Sequence, residues 1–425
     1  MPAHDPVALG LSLPLWSVVP FAGLLLAIAL LPLFAPSLWV RHYAKVCLAF
    51  GVPVAGFFLL RAPRELLHTV LEYASFIILL ASLFTISGGI LLRGTLRGSA
   101  GVNCAILAVG AVLANVFGTT GASMLLIRPL LRANAHRHRK AHVVVFFIFV
   151  VANIGGALTP IGDPPLFLGY LRGVPFFWTL RAMGLLWAVA CALVIGVFYL
   201  VDRRALALDT VAGEGGGGPV RAAASGEARV PLSIEGKINL PLLMVVIGAV
   251  FLPTPWREVA MAGAAVVSAW KTPAKVRGEN EFTWHPIEEV AILFAGIFAT
   301  MIPAVLILKA RGAELGVVTP AHFFWATGAL SSFLDNAPTY LVFFSLAQGL
   351  GGAQTVAGVS APLLQAIGAG AVFMGANSYI GNAPNFMVKA IAEEAGVRMP
   401  SFFGYMAWSC GILLPIFALL TLLFF

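Results

Sequence analysis

Two carboxylates stand inside long apolar stretches, beside prolines. Asp163 lies in Gly162-Asp-Pro-Pro165 and Asp335 in Leu334-Asp-Asn-Ala-Pro338. An acid at membrane depth costs about 2.5–3.5 kcal/mol on insertion scales. A cation, a proton or a hydrogen-bonded role must offset that cost. The neutral polar residues near the two acids form a short inventory. In the first half they are Asn115, Thr119, Thr120, Ser123, Asn153 and Thr159. In the second half they are Ser331, Ser332, Asn336, Thr339, Asn377, Ser378, Asn382 and Asn385. Carboxylates, amides and hydroxyls together suit a hard cation such as Na⁺, with Asp163 and Asp335 as its charged ligands. Each residue also has a plainer reading. Asp before Pro caps a turn or a helix start, and Ser, Thr and Asn hold membrane helices together. Arg128, Lys309 and Lys389 are too few, and too near span ends, to neutralise a polycarboxylate, which favours cation exchange.

The surrounding sequence sets the solvent. Of 425 residues, 60% are hydrophobic and only 10% are charged, with a mean hydropathy of +0.94. Soluble domains carry about 25% charged residues. Lipid is therefore the solvent, and the chain is an all-α polytopic membrane protein. The net charge of +8 belongs to loops between apolar runs, where it sets topology and not nucleic-acid binding. The His-rich run 136–142 reads as a solvated basic loop, and Glu72, Glu288 and Glu289, at span starts, as interfacial acids. Cys47, Cys104, Cys191 and Cys410 lie in apolar segments without ligand spacing, so no disulfide or metal site is expected. No catalytic group and no cofactor is assigned. The first apolar run lacks a basic leader in Met1–Pro14 and is expected to be retained.

Clean apolar spans fall near 15–35, 43–60, 71–92, 176–201, 237–253, 257–271, 288–309 and 402–425. Four further stretches are interrupted. The first half has one at 99–132, broken at Asn115–Gly121, and one at 142–172, broken at Thr159–Pro165. The second half has one at about 320–350, broken at Ser331–Thr339, and one at about 361–395, broken at Asn377–Asn385. Between the halves, 202–236 is polar and Gly-rich and reads as a flexible cytoplasmic linker. The domains expected are thus 1–201, the linker 202–236, and 237–425.

The halves repeat in residues as well as in order. Leu113–Gly121 lies over Leu330–Pro338, an offset of 330 − 113 = 217. Ile161-Gly-Asp-Pro-Pro-Leu-Phe167 lies over Ile380-Gly-Asn-Ala-Pro-Asn-Phe386, an offset of 380 − 161 = 219. Asp163 thus pairs with Asn382, and Asp335 with Gly118. Arg93 and Arg97 flank one end of 99–132, and the basic loop Arg132–His142 flanks the other. The positive-inside rule puts both flanks in the cytoplasm if 99–132 is a re-entrant hairpin. The expected fold is two inverted repeats, with about ten spans, two opposed hairpins and two broken helices. Paired interrupted segments in inverted halves point to a transporter's substrate site.

At these motifs a family likeness enters. Gly155–Pro165 and Ser331–Thr339 resemble the ion-transporter superfamily, in its arsenite-permease/sodium–proton antiporter branch, which includes citrate-transporter-like proteins. The resemblance implies inverted repeats with hairpins, elevator-type movement, often dimeric assembly, and substrate and Na⁺ sites at hairpin tips and broken helices. The first hairpin lacks the Ser-Asn-Thr string typical of carboxylate-transporting members.

The function expected is Na⁺/H⁺ antiport in a bacterial inner membrane, with Asp163 and Asp335 shared between the two ions. The partners are membrane lipid, small ions and a second copy of the chain. The alternative is an anion transporter of the same fold, for a di- or tricarboxylate or arsenite. A scaffold would have no use for costly irregular backbone. The topology yields the first prediction. Cysteines introduced near Arg97 and His138 should both be labelled by an impermeant reagent from the cytoplasmic side. Labelling from opposite sides would remove the re-entrant hairpin.

Overall fold

The structure is a computed structural model and describes residues 6–94, 96–215, 231, 233–351 and 355–425. It is almost wholly helical; its strands are two short antiparallel pairs. Among the described residues, eight segments are long and apolar enough to cross a membrane. Proline sets several of their starts. Pro36 opens Pro36–Arg61 and Pro63 opens Pro63–Ser87. A first-turn proline loses only an N–H that the helix could not have used.

Two of the eight segments do not cross simply. Ala100–Ala133 contains 34 residues, enough for a straight rod of about 50 Å. It is not straight. Gly118 has φ 74° and ψ 157°, outside helical space, and the Gly98 N–H donates to the Ala133 carbonyl at 2.8 Å. The ends of the segment therefore meet, and the two arms fold back on a tip at Gly118. Only glycine takes this φ without strain. The other exception is Ala141–Leu158, whose most apolar window is 89% buried, against 22% for Leu15–Phe34. It is a central segment wrapped by protein. Such cover is what lets a helix end inside the apolar layer. Its helix stops at Val150, continues as a short 3₁₀ turn over Ile154–Leu158, and restarts as Pro164–Leu171.

The second half has the same run of events. Pro320–Ser331 and Asn336–Leu350 are separated by four residues. Ala361–Met374, the turn Gly375–Asn377 and Ala383–Glu394 follow. Each hairpin packs on the broken segment of its own half and reaches that of the other. Ala100–Ala133 meets Ala383–Glu394, and Asn336–Leu350 meets Pro164–Leu171.

Glycine permits the tight crossing at each break. A Cβ on Gly162 would lie 2.2 Å from the Gly156 carbonyl oxygen. A Cβ on Gly381 would lie 2.6 Å from that of Gly375. Both pairs are related by the offset of 219 seen in the sequence.

Three boundaries differ from the sequence reading. The helix Trp178–Gly215 runs well into the expected 202–236 linker. Residues 216–230 and 232 of that linker lie outside the described residues, while Ser233–Glu235 pairs with Leu91–Arg93. The expected span near 237–253 is a helix of only 11 residues, Asn239–Ala249, whereas that near 257–271 is found as Trp256–Lys271, of 16 residues. The former is well short of the ~17–25 residues of a full crossing, since it ends in a turn before Pro253. The basic run 136–142 is not all solvated, since Arg137 and His142 are buried against Asp202.

The glycine contacts give the second prediction. Gly162→Ala and Gly381→Ala should each destabilise the protein by about 1–3 kcal/mol, the range for overpacking. Gly184→Ala, where nothing lies within 4 Å of an added Cβ, should be neutral or slightly stabilising. Thermal melting in detergent checks all three; equal melting temperatures would refute the crossing argument.

Candidate functional site

Asp163 is the N-cap residue of Pro164–Leu171, yet its side chain makes no capping bond there. The carboxylate turns away and crosses to other segments. Its Oδ1 accepts from Thr119 Oγ1 at 2.8 Å and from Asn382 Nδ2 at 3.1 Å. Its Oδ2 accepts from Asn336 Nδ2 at 2.5 Å. Thr119 is at the first hairpin tip, Asn336 begins the second arm of the second hairpin, and Asn382 precedes the restart of the second broken segment. One buried carboxylate therefore ties all four interruptions together.

The repeat places these partners. Thr119 and Asn336 are matched by the offset of 217, and Asp163 and Asn382 by the offset of 219. Two pairs of corresponding positions converge on one group. Three charge-assisted donors, each worth about 1.5–3 kcal/mol, stabilise the anion but bring no positive charge. Among the described residues, no Lys, Arg or His forms an ion pair with Asp163 or Asp335.

Two buried amide oxygens remain free, one of them on a residue that touches Asp163. Asn336 turns its Nδ2 to Asp163, which leaves its Oδ1 buried and without a hydrogen-bond partner. Asn377 donates to Ser332 Oγ at 2.9 Å, and its Oδ1 is likewise buried and unpartnered. A buried amide oxygen without a donor costs desolvation energy, and a hard cation would satisfy it. No group of three or more His, Cys, Asp or Glu side chains is gathered among the described residues. The donor set is one carboxylate with amides and hydroxyls.

The other expected site residues divide by what they touch. Asp335 does what Asp163 does not: its Oδ1 caps the second hairpin's helix, accepting from the Ala337 N–H at 3.0 Å. It immediately precedes Asn336, whose amide reaches the Asp163 carboxylate. Asn115 ties the first hairpin to its broken segment, donating to the Ala111 and Gly155 carbonyls and accepting from the Leu158 N–H at 2.8 Å. Thr159 donates back to the Asn115 carbonyl at 2.6 Å. Thr339 donates to the Asp335 carbonyl at 3.0 Å, within its own helix start. Ser378 donates to the Ser332 carbonyl at 2.5 Å. Thr120 is half-buried next to Thr119 and outside the hydrogen bonds of Asp163. These are framework contacts around the centre. Asn153 and Asn385 form a second bridge between the halves, 2.7 Å from Nδ2 to Oδ1, and Asn382 also donates to Asn153 Oδ1 at 3.2 Å.

One charged pair was not legible in the sequence. Arg172, just past Pro164–Leu171, holds Glu72 through two bonds of 3.1 Å and reaches Ser345 on the second hairpin at 3.2 Å. Both residues are largely buried, whereas Glu72 reads from sequence as an interfacial acid. They are 100 positions apart, and no local pattern links them.

A family model described as "Putative citrate transport" matches residues 10–425. No curated protein matches the chain.

The division between the two acids is testable. Asp335→Ala should lower stability by about 1 kcal/mol, the usual loss for an N-cap. Asp335→Asn should leave it nearly unchanged, because Asn caps equally well. Melting curves of the two variants decide it; equal loss in both would mean that the charge, not the cap, holds this turn.

Proposed function

We propose that this chain, which belongs to the citrate-transporter-like family matched over nearly its whole length, is a secondary active transporter that exchanges Na⁺ for H⁺ at Asp163. The observation that carries the reading is a buried carboxylate with three hydrogen-bond donors, no counter-charge, and an unpartnered amide oxygen beside it. Na⁺ and H⁺ each neutralise the same charge. Binding one releases the other, and that competition is the coupling. Asn336 and Asn377 would supply amide oxygens to the cation, and Asp335 would add a second negative charge to attract it.

On this reading the two hairpins are re-entrant and the halves are inverted repeats. The broken segments and hairpins then form a unit that moves against the long outer spans, in a bacterial inner membrane. The fold-back at Gly118 and the shared offsets of the two breaks support this arrangement.

The family description favours a second reading. A citrate-type tricarboxylate could be the cargo, with Asp163 binding the coupling cation alone. The two readings part in one assay. In everted vesicles, added Na⁺ should dissipate a preformed pH gradient in the wild-type protein. Apparent Na⁺ affinity should fall as pH drops, because protons compete for the same carboxylate. Asp163→Asn should abolish the response by at least about tenfold while inserting normally, since an amide keeps the size but exchanges no proton. Wild-type vesicles that ignore Na⁺ but accumulate labelled citrate would establish the second reading instead. An active Asp163→Asn variant would remove this carboxylate from both.

A further inference from the structure

A second charged region lies apart from the Asp163 centre. A cavity of about 810 Å³ opens where the basic loop, the end of Trp178–Gly215, the turn after Ala383–Glu394 and the start of Phe402–Phe424 come together. Every ionisable side chain on its wall is a base, among them Lys140, His142, Arg204 and Arg398. Two acids close to the wall are already engaged. Asp202 lies behind the wall, accepting from His142 Nε2 at 2.7 Å, from Asn103 Nδ2 at 3.1 Å, and pairing with Arg137 at 2.6 Å. Asp209 pairs with Arg139 at 3.9 Å. Lys140, Arg204 and Arg398 form no ion pair among the described residues. The buried Arg137–Asp202–His142 cluster therefore fixes the cavity's shape without cancelling the charge at its mouth.

From this the geometry points to a phosphate-binding site, whose phosphate is the headgroup of an anionic phospholipid. Guanidinium and ammonium groups converging on one hollow recognise phosphate. Part of the same lining is apolar and is formed by Val201, Leu208 and Trp408. A free anion has no use for such a wall, whereas glycerol and acyl chains would cover it. The depth agrees as well. Leu208 lies near the end of one span, and Trp408 lies in the second turn of another. Tryptophan at a span end marks the headgroup level. Basic pockets between spans are where anionic headgroups bind.

The site would act at a joint. Trp178–Gly215 packs on Ala141–Val150, whose far end leads into the break carrying Asp163. A lipid seated here would brace the helix that positions the exchange centre. The inference does not depend on which ion Asp163 carries.

Thermal melting of purified, delipidated protein tests it. Phosphatidylglycerol in mixed micelles should raise the melting temperature saturably, and phosphatidylcholine should not. Arg204→Gln and Arg398→Gln should each weaken the apparent lipid affinity roughly fivefold, the effect of one surface cation on an anionic lipid. Val52→Ala on an exposed outer span is the control and should leave the shift intact. Stabilisation by millimolar inorganic phosphate, equal to that by the lipid and lost in the same variants, would make the source a free anion and overturn the lipid assignment. Absence of a shift in the wild type, or a full shift in the double variant, would overturn the site itself.

Discussion

The structure turns on a rule of solvation: backbone that leaves a helix inside the apolar layer must find its partners in protein. Four interruptions meet this rule together, and the meeting point is the Asp163 carboxylate. Thr119, Asn336 and Asn382 each come from a different interrupted segment, and each donates to it. Remove the carboxylate and three buried donors lose their common acceptor. The burial of Ala141–Leu158 has the same cause. A lipid-facing helix could not stop at Val150, expose free carbonyls and restart at Pro164.

The two halves contribute unequally to this centre, and the inequality has a consequence. A strict duplicate of Asp163 would place a second acid at position 382. Two carboxylates sharing one set of donors would repel each other and leave one of them protonated. Asn382 keeps nearly the same size while turning an acceptor into a donor, and it fills that role at 3.1 Å. The second half's acid instead sits at 335, opposite Gly118, where it caps a helix. The glycine is needed there because the first hairpin's tip takes φ 74°. The corresponding positions thus share a backbone geometry, while only one carboxylate, that of Asp163, takes the three donors.

Much of this is legible in the sequence. The four interruptions announce themselves by Asn, Pro, Gly and Asp inside apolar runs, and Asp163 stands out because nothing nearby offsets its charge. The offsets of 217 and 219 even indicate which residues correspond. Composition could not distinguish the two acids, since both precede a helix in a similar local string. Only the direction of the side chain separates a cap from a bridge, and direction depends on segments more than 150 residues away. The Arg172–Glu72 pair was hidden for the same reason. The loop 136–142 misled in the other sense. Its density of bases reads as solvated, but Asp202, buried within an apolar span, draws Arg137 and His142 inward. The helix at 239–249 shows a further limit, for hydropathy counts the apolar residues of 237–253 and does not register that the helix ends in a turn before Pro253.

The choice of amides and a hydroxyl around Asp163, in place of an arginine, bears on what the site can do. A guanidinium would hold the carboxylate permanently, because it carries its charge at every accessible pH and has no acceptor to turn toward a cation. An asparagine has both faces. Asn336 now offers its N–H to the carboxylate and leaves its oxygen free. On the proposed exchange, Na⁺ approaching the carboxylate would meet that oxygen, and a proton on the carboxylate would find an acceptor in it. The same side chain can thus serve the loaded and the unloaded centre by rotating an amide, with no buried charge to move. A transporter that must release its cargo on every cycle needs ligands that bind without locking. The rival pair, Arg172 with Glu72, is built the opposite way. It is bidentate, largely buried and already neutral, which suits a contact that holds segments in place and not one that exchanges an ion.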